Sequence, residues 1–127
     1  MSKEYIYVAS PYSHPDPEVR ESRFQFVLRV CAVCVELGIP TYSPIVHFHP
    51  IDKVLNPTTP RSSDFWIPFW KPMLLNSSLL LILPFNGYNE SVGIKEERKV
   101  ADSADILTIT SLSFHEIEKI WGLLNGK

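Results

Sequence analysis

The sequence predicts an α/β fold, an open parallel sheet of four to five strands with helices on both faces. Strand-like runs alternate with segments of helical spacing along the chain. The run from Leu79 to Leu83 is apolar throughout, as a central strand covered on both sides must be. All eleven prolines lie between Pro11 and Pro84. Long shaped loops are therefore expected early, and compact alternating elements in the last third.

Tyr5 to Ala9 is the first, buried strand, and Ser10-Pro11-Tyr12-Ser13-His14-Pro15 a rigid loop after it. The next helix starts near Asp16, a suitable N-cap, with Pro17 at the first helical position. It carries Phe24, Val27, Leu28, Cys31 and Val35 at helical spacing and stops at Gly38. Thr41 to Ser43 makes a short second strand. Pro44-Ile45-Val46-His47-Phe48-His49-Pro50 is expected to be a loop, as are residues 51–63. From Asp64, an aromatic segment leads into a helix ending near Asn76. Leu79 to Leu83 is the third strand, Ser91 to Ala104 a helix, Ile106 to Ile109 a strand, and Phe114 to Leu124 a terminal helix.

At 127 residues the chain fits one domain, residues 1–127, large enough to bury a real core. A net charge of −2 gives no support to a nucleic-acid or membrane-surface footprint. No apolar run approaches the roughly 18–20 residues of a membrane span. The N-terminus passes directly into a strand, so a signal peptide is not expected and the cytoplasm is the default compartment. Cys31 and Cys34 form one C-x-x-C in mid-helix among valines and a leucine. Buried structural thiols suit that setting better than redox chemistry, which needs a cationic neighbour or a helix start. A single pair also excludes a four-cysteine zinc site.

In such sheets ligands bind beyond the carboxyl ends of the strands, where strand order reverses. The loops at those ends are Ser10–Pro15, Ser43–Pro50 and Pro84–Gly93, and the unusual residues are concentrated there. Glu97 is the most unusual. Advancing about 100° per residue, Ile94, Val100, Ala101 and Ala104 define an apolar stripe centred within about 10° of Glu97. Glu96 and Arg98 lie roughly 100° to either side. A carboxylate aimed at a core is costly unless paired or facing a cavity. In a pocket it can act as nucleophile or base. Ser91 suits an N-cap, and Gly93 permits close approach of a ligand to a helix start able to bind an anion. Ser10, Tyr12 and Ser13 offer hydroxyls to the same cleft, and Tyr7 can hydrogen-bond to Glu97 across the sheet end. His47 and His49 are candidates for loop structuring or substrate contact, and His47 is the one expected to bind the substrate. On an extended segment they would face opposite ways, which argues against a shared metal even with Asp52 as a third ligand. Trp66, Phe69 and Trp70 suit a core or lid, with stacking on a base as a further use. No metal and no cofactor is expected.

Three motifs carry a resemblance over nearly the whole chain: Tyr7-Val8-Ala9-Ser10-Pro11-Tyr12-Ser13-His14-Pro15, Ser43-Pro44-Ile45-Val46-His47-Phe48-His49-Pro50, and Gly87-Tyr88…Ser91-Val92-Gly93-Ile94…Glu97. Together they resemble a small family within the nucleoside 2-deoxyribosyltransferase-like superfamily. The resemblance implies a flavodoxin-like, Rossmann-like sheet and cleavage of an N-glycosidic bond by a helix-borne glutamate. The small-molecule partner would be a nucleoside or nucleoside 5′-monophosphate, and a homodimer is expected. Glu97 matches the nucleophile, Tyr7 the tyrosine that orients it, Ser91 a phosphate-contacting serine and Ser10 the first phosphate-loop serine. Departures are also present. Trp70 and Ser78 stand where the superfamily usually has aspartates, and Ser13 where one branch has a phosphate-binding arginine. Arg20 or Arg23 is a candidate source of that positive charge. Two alternatives stay open: a non-catalytic nucleotide-binding module of the same fold, and a phosphoribohydrolase, whose glycine pair is absent.

Overall fold

The computed structural model describes residues 4–55 and 61–126. Four parallel strands form one sheet in the order β2-β1-β3-β4: β1 (Ile6–Ala9), β2 (Thr41–Tyr42), β3 (Leu79–Ile82) and β4 (Thr108–Thr110). Among the described residues five α-helices accompany them: α1 (Pro17–Glu36), α2 (Pro44–Leu55), α3 (Ser63–Leu75), α4 (Val92–Ser103) and α5 (Phe114–Leu124). This is a flavodoxin-like open sheet, at the lower end of the expected strand number. Strand order reverses at the boundary between β1 and β3, the two central strands.

Alternation along the strands divides the interior in two. Ile6, Val8, Leu79 and Leu81 face Val27, Val30, Cys31 and Cys34 of α1 and Ile117 of α5. Tyr7, Ala9, Leu80 and Ile82 face Trp70 and Leu74 of α3 and Ile94 and Ala101 of α4. β1 and β3 are buried along their whole length, which explains their continuous apolar character.

The starts of α1, α4 and α5 share one device. Asp16 Oδ1 accepts from the Glu18 N–H at 2.9 Å, with Pro17 opening α1. Ser91 Oγ accepts from Ile94 N–H and Ser113 Oγ from Glu116 N–H, each at 3.2 Å. Each satisfies an N–H that no helical carbonyl reaches. Helix ends are equally local. At the end of α1, Gly38 adopts φ 76° and the Ile39 N–H bonds the Cys34 carbonyl at 2.9 Å. After α4, Asp105 takes the left-handed position, and Ile106 N–H bonds the Ala101 carbonyl at 2.9 Å.

Four expectations are corrected here. The segment from Pro44 is helical, not a loop, because Ser43 Oγ accepts from Val46 N–H at 3.2 Å and Pro44 takes the first helical position. Of the loop expected over 51–63, residues 51–55 belong to α2, Ser63 opens α3, and 56–60 lie outside the described residues. In α1 the buried stripe is Val27, Val30, Cys31 and Cys34, while Leu28 and Val35 are exposed. That helix is apolar on several sides, so its sequence leaves the phase ambiguous. The last strand also begins two residues later than expected, since Ile106 belongs to the stop signal of α4.

Candidate functional site at the carboxyl end of the sheet

A cavity of about 100 Å³ opens beyond the carboxyl ends of the central strands. Ser10, Tyr12 and Ser13 line it from the loop after β1. Pro44, Ile45, Phe48, His49 and Asp52 come from α2, Trp66 and Trp70 from α3, and Ser91, Gly93 and Glu97 from the start of α4. The loops after β1 and β3 flank the crevice created by the strand-order reversal.

Glu97 is buried, 5% exposed, between Ile94 and Ala101 on the inner face of α4. The Tyr7 phenol donates to Glu97 Oε2. Among the described residues no lysine or arginine forms an ion pair with Glu97. Burial without a cation favours the neutral acid and pushes its pKa up to about 8, a rise partly offset by the Tyr7 hydrogen bond. Tyr7 is raised well above its ordinary 10.0, first by burial and then by the Glu97 charge.

A second group of features suits an anion. Ser91 caps α4, and the first N–H groups of that helix have no intrahelical partner. The Ser91 hydroxyl accepts from Ile94 N–H and keeps its own proton free to donate. Ser10 is 5% exposed, and its Oγ is buried without a hydrogen-bond partner among the described residues. A Cβ added at Gly93 would meet only Ser91 Oγ, at 3.8 Å, so this face of the helix start is open to a ligand.

His47 does not join this site. In a helix His47 and His49 point about 200° apart; His47 is exposed, and His49 is 5% exposed and lines the cavity. Asp52, weighed as a metal partner, is paired with Arg61, Nη1 to Oδ1 2.9 Å. Arg20 and Arg23 do not reach in as free cations. Arg20 Nη1 donates to the His14 carbonyl at 2.5 Å and Arg23 Nη1 to the Ser13 carbonyl at 2.9 Å, bracing the loop. Trp66 and Trp70 pack in the core and line the cavity, whereas Phe69 is exposed. Ser78 is occupied elsewhere, its Oγ accepting from Glu4 N–H at 2.9 Å. Cys31 and Cys34 are free, buried thiols; burial raises the first and pushes the second up to about 11. Neither is poised to ionise.

A family model described as a domain of unknown function (DUF1937) matches residues 4–110. The chain belongs to this DUF1937 family. Every cavity-lining side chain falls inside the DUF1937 match, from Ser10 to Glu97, while α5 lies beyond it. No curated protein matches the chain. Among the described residues of this DUF1937 member, no helix is long and apolar enough to cross a membrane. No group of three His, Cys, Asp or Glu side chains among them is placed to hold a metal ion.

The sequence-based expectation gives Glu21 no role and places His47, not His49, among the substrate-contacting residues. A signal for His49 was present. Ile45, Phe48, His49 and Asp52 have the i, i+3, i+4, i+7 spacing of one helix face, and all four line the cavity.

Proposed function

We propose that the chain cleaves the N-glycosidic bond of a nucleoside or nucleoside 5′-monophosphate, with Glu97 as nucleophile. The observation that carries this is the placement of Glu97: a buried carboxyl without an ion-pair partner among the described residues, oriented by Tyr7, at the wall of a cavity at the strand-order reversal. An oxocarbenium-like C1′ is the kind of developing cation that such a carboxylate stabilises and captures. The departing base takes a proton, and water or a second base resolves the glycosyl ester. The opening of α4 and the Ser10 hydroxyl suit a 5′-phosphate, and Trp66, Trp70 and Phe48 suit the face of a base. The motif resemblance supports the same chemistry, although Trp70 stands where an aspartate is usual.

One observation favours a second reading. Burial keeps the proton on Glu97 up to about pH 8. A neutral carboxyl can serve a non-catalytic module as a hydrogen-bond donor to a base.

The deciding experiment incubates the protein with a panel of nucleosides and 5′-monophosphates and follows free base by chromatography. Base release is expected, and its loss in Glu97→Ala. Release that survives Glu97→Ala overturns the mechanism. A nucleotide that raises the melting temperature without being cleaved establishes the binding module instead.

A further inference from the structure

A second set of polar side chains reaches the cavity from elements other than α4. Tyr12, in the loop after β1, meets His49 of α2, with Oη and Nδ1 2.5 Å apart. The other ring nitrogen of His49, Nε2, lies 2.9 Å from Glu21 Oε1 on α1. Glu21 is itself held from two sides, by Lys53 Nζ on Oε1 at 2.6 Å and by Gln25 Nε2 on Oε2 at 2.9 Å. The His49 ring is buried and stacked on Phe24, centroids 4.3 Å apart at 25°. Three elements thus fix one chain of hydrogen bonds that ends on a phenol at the cavity wall.

The direction of that chain follows from its far end. Hydrogen bonds from Gln25, Lys53 and His49 hold the Glu21 carboxyl at a pKa of about 2, so it accepts and never donates at neutral pH. His49 therefore carries a proton on Nε2. Its Nδ1 then has two states. As imidazolium it donates to Tyr12 and leaves the phenol proton free to point into the cavity. As neutral imidazole it accepts from Tyr12 and leaves the phenol oxygen as a proton acceptor.

N-glycosidic cleavage needs both states in turn. The leaving base must be protonated, and the water that follows must lose a proton. Glu97 cannot supply the first proton while acting as the nucleophile. Asp52 also lines the cavity but is committed to Arg61. Serine hydroxyls are poor acids.

We infer that Tyr12, positioned by His49 and Glu21, is the proton donor and acceptor of this site, an inference that rests on the N-glycosidase reading above. In the first step Glu97 attacks C1′ and the C1′–N bond breaks, its electron pair going to the base nitrogen. That nitrogen takes the Tyr12 phenol proton, and Tyr12 takes the Nδ1 proton of His49. In the second step water oxygen bonds to C1′ and the ester C1′–O bond breaks, returning the Glu97 carboxylate. The water proton passes to Tyr12, whose own proton returns to Nδ1. Tyr12 is thus a catalytic residue, and His49 and Glu21 are positioning residues.

The test compares two substrates with the same sugar, one bearing an ordinary neutral base and one bearing N7-methylguanine. The second base is already cationic and leaves without receiving a proton. Base release is followed in the first turnover, before water enters. Tyr12→Phe should slow release of the neutral base by about 10²- to 10⁴-fold, and release of the cationic base by at least about tenfold less than that. His49→Gln should show the same selectivity at smaller amplitude, with melting curves confirming that both variants fold. Equal losses on the two substrates, or no loss on either, overturn the role of Tyr12 while leaving the N-glycosidase reading in place. If the unaltered protein releases neither base, the N-glycosidase reading fails and the inference falls with it.

Discussion

The Tyr7 phenol donates its hydrogen bond to Glu97 Oε2 across 90 positions of sequence. Tyr7 is the second residue of β1, and strand alternation turns it toward the α3 and α4 side of the sheet. Glu97 lies on the inner face of α4, which follows β3, the direct neighbour of β1. The contact thus depends on the same strand order that creates the crevice. Burial raises the pKa of both members, and the contact itself acts in opposite directions: Glu97 holds the Tyr7 proton more tightly, while the Tyr7 hydrogen bond eases the loss of the Glu97 proton.

Removing that phenol tests the coupling. The Tyr7 hydrogen bond lowers the Glu97 pKa against burial, so Tyr7→Phe raises it further above about 8. The ascending limb of the pH profile for base release should move to higher pH. Loss of a buried hydrogen bond should also cost about 1–3 kcal/mol in denaturant unfolding. A limb that stays in place would separate Tyr7 from the ionisation of Glu97.

Ser10 gives the opposite pattern, little stability and much affinity. Its buried Oγ has no partner among the described residues, so Ser10→Ala breaks no hydrogen bond within the protein. Stability should change by less than about 1 kcal/mol, because no hydrogen bond to another protein group is lost. Affinity for a 5′-monophosphate should fall by about 1.5–3 kcal/mol, the worth of a hydrogen bond to a charged group. Affinity for the matching nucleoside should hardly change. Calorimetric titration of both ligands reads the difference, and equal losses would move the phosphate away from Ser10.

Much of this geometry was legible locally. The phase of α4 singled out Glu97 over Glu96, and Glu97 is the buried one of the two. Asp16-Pro17 announced α1 by its own chemistry. Ser43-Pro44 carries the same cap-and-proline signal for α2, but Pro50 six residues on suggests a break and hides it. With that helix missed, His47 and His49 look equivalent, although only one faces the cavity. Glu21 was not legible at all. It is one of several charged residues on an amphipathic helix, and its partners His49 and Lys53 are distant in sequence. Strand alternation and helix phase are local and can be read; a relay assembled from three elements is tertiary and cannot.

The loop before α4 depends on Gly87. It adopts φ 83°, where any side chain costs about 1–2 kcal/mol. A Cβ there would also sit 3.3 Å from Arg23 Nη2, and Arg23 braces the loop after β1 through the Ser13 carbonyl. Gly87→Ala should therefore lower the melting temperature by several degrees. It should also weaken ligand binding, since both cavity loops are disturbed. A variant with the original melting temperature would show that the loop relaxes without strain.

The proton on Glu97 also makes stability depend on pH in a direction opposite to that of most carboxylates. In the unfolded chain Glu97 releases its proton near its ordinary 4.5, whereas in the fold it keeps it up to about 8. Between those values the folded state binds more protons than the unfolded state, so the contribution is full below the lower value and is lost as pH rises toward the upper one. Glu97→Gln keeps a carbonyl that can accept from Tyr7 and abolishes the titration. Comparing the two proteins by urea unfolding at pH 5 and pH 8 cancels groups common to both. The glutamine variant should gain on the unaltered protein by on the order of a few kcal/mol over that interval. Parallel profiles would mean that Glu97 is ionised in the fold throughout. The same titration bears on catalysis, because only the ionised carboxylate attacks C1′. In Tyr12→Phe, where release no longer draws on the His49 proton, the residual base release per enzyme should rise from pH 6 toward pH 8, and a flat profile there would require that bound substrate itself displaces the Glu97 proton.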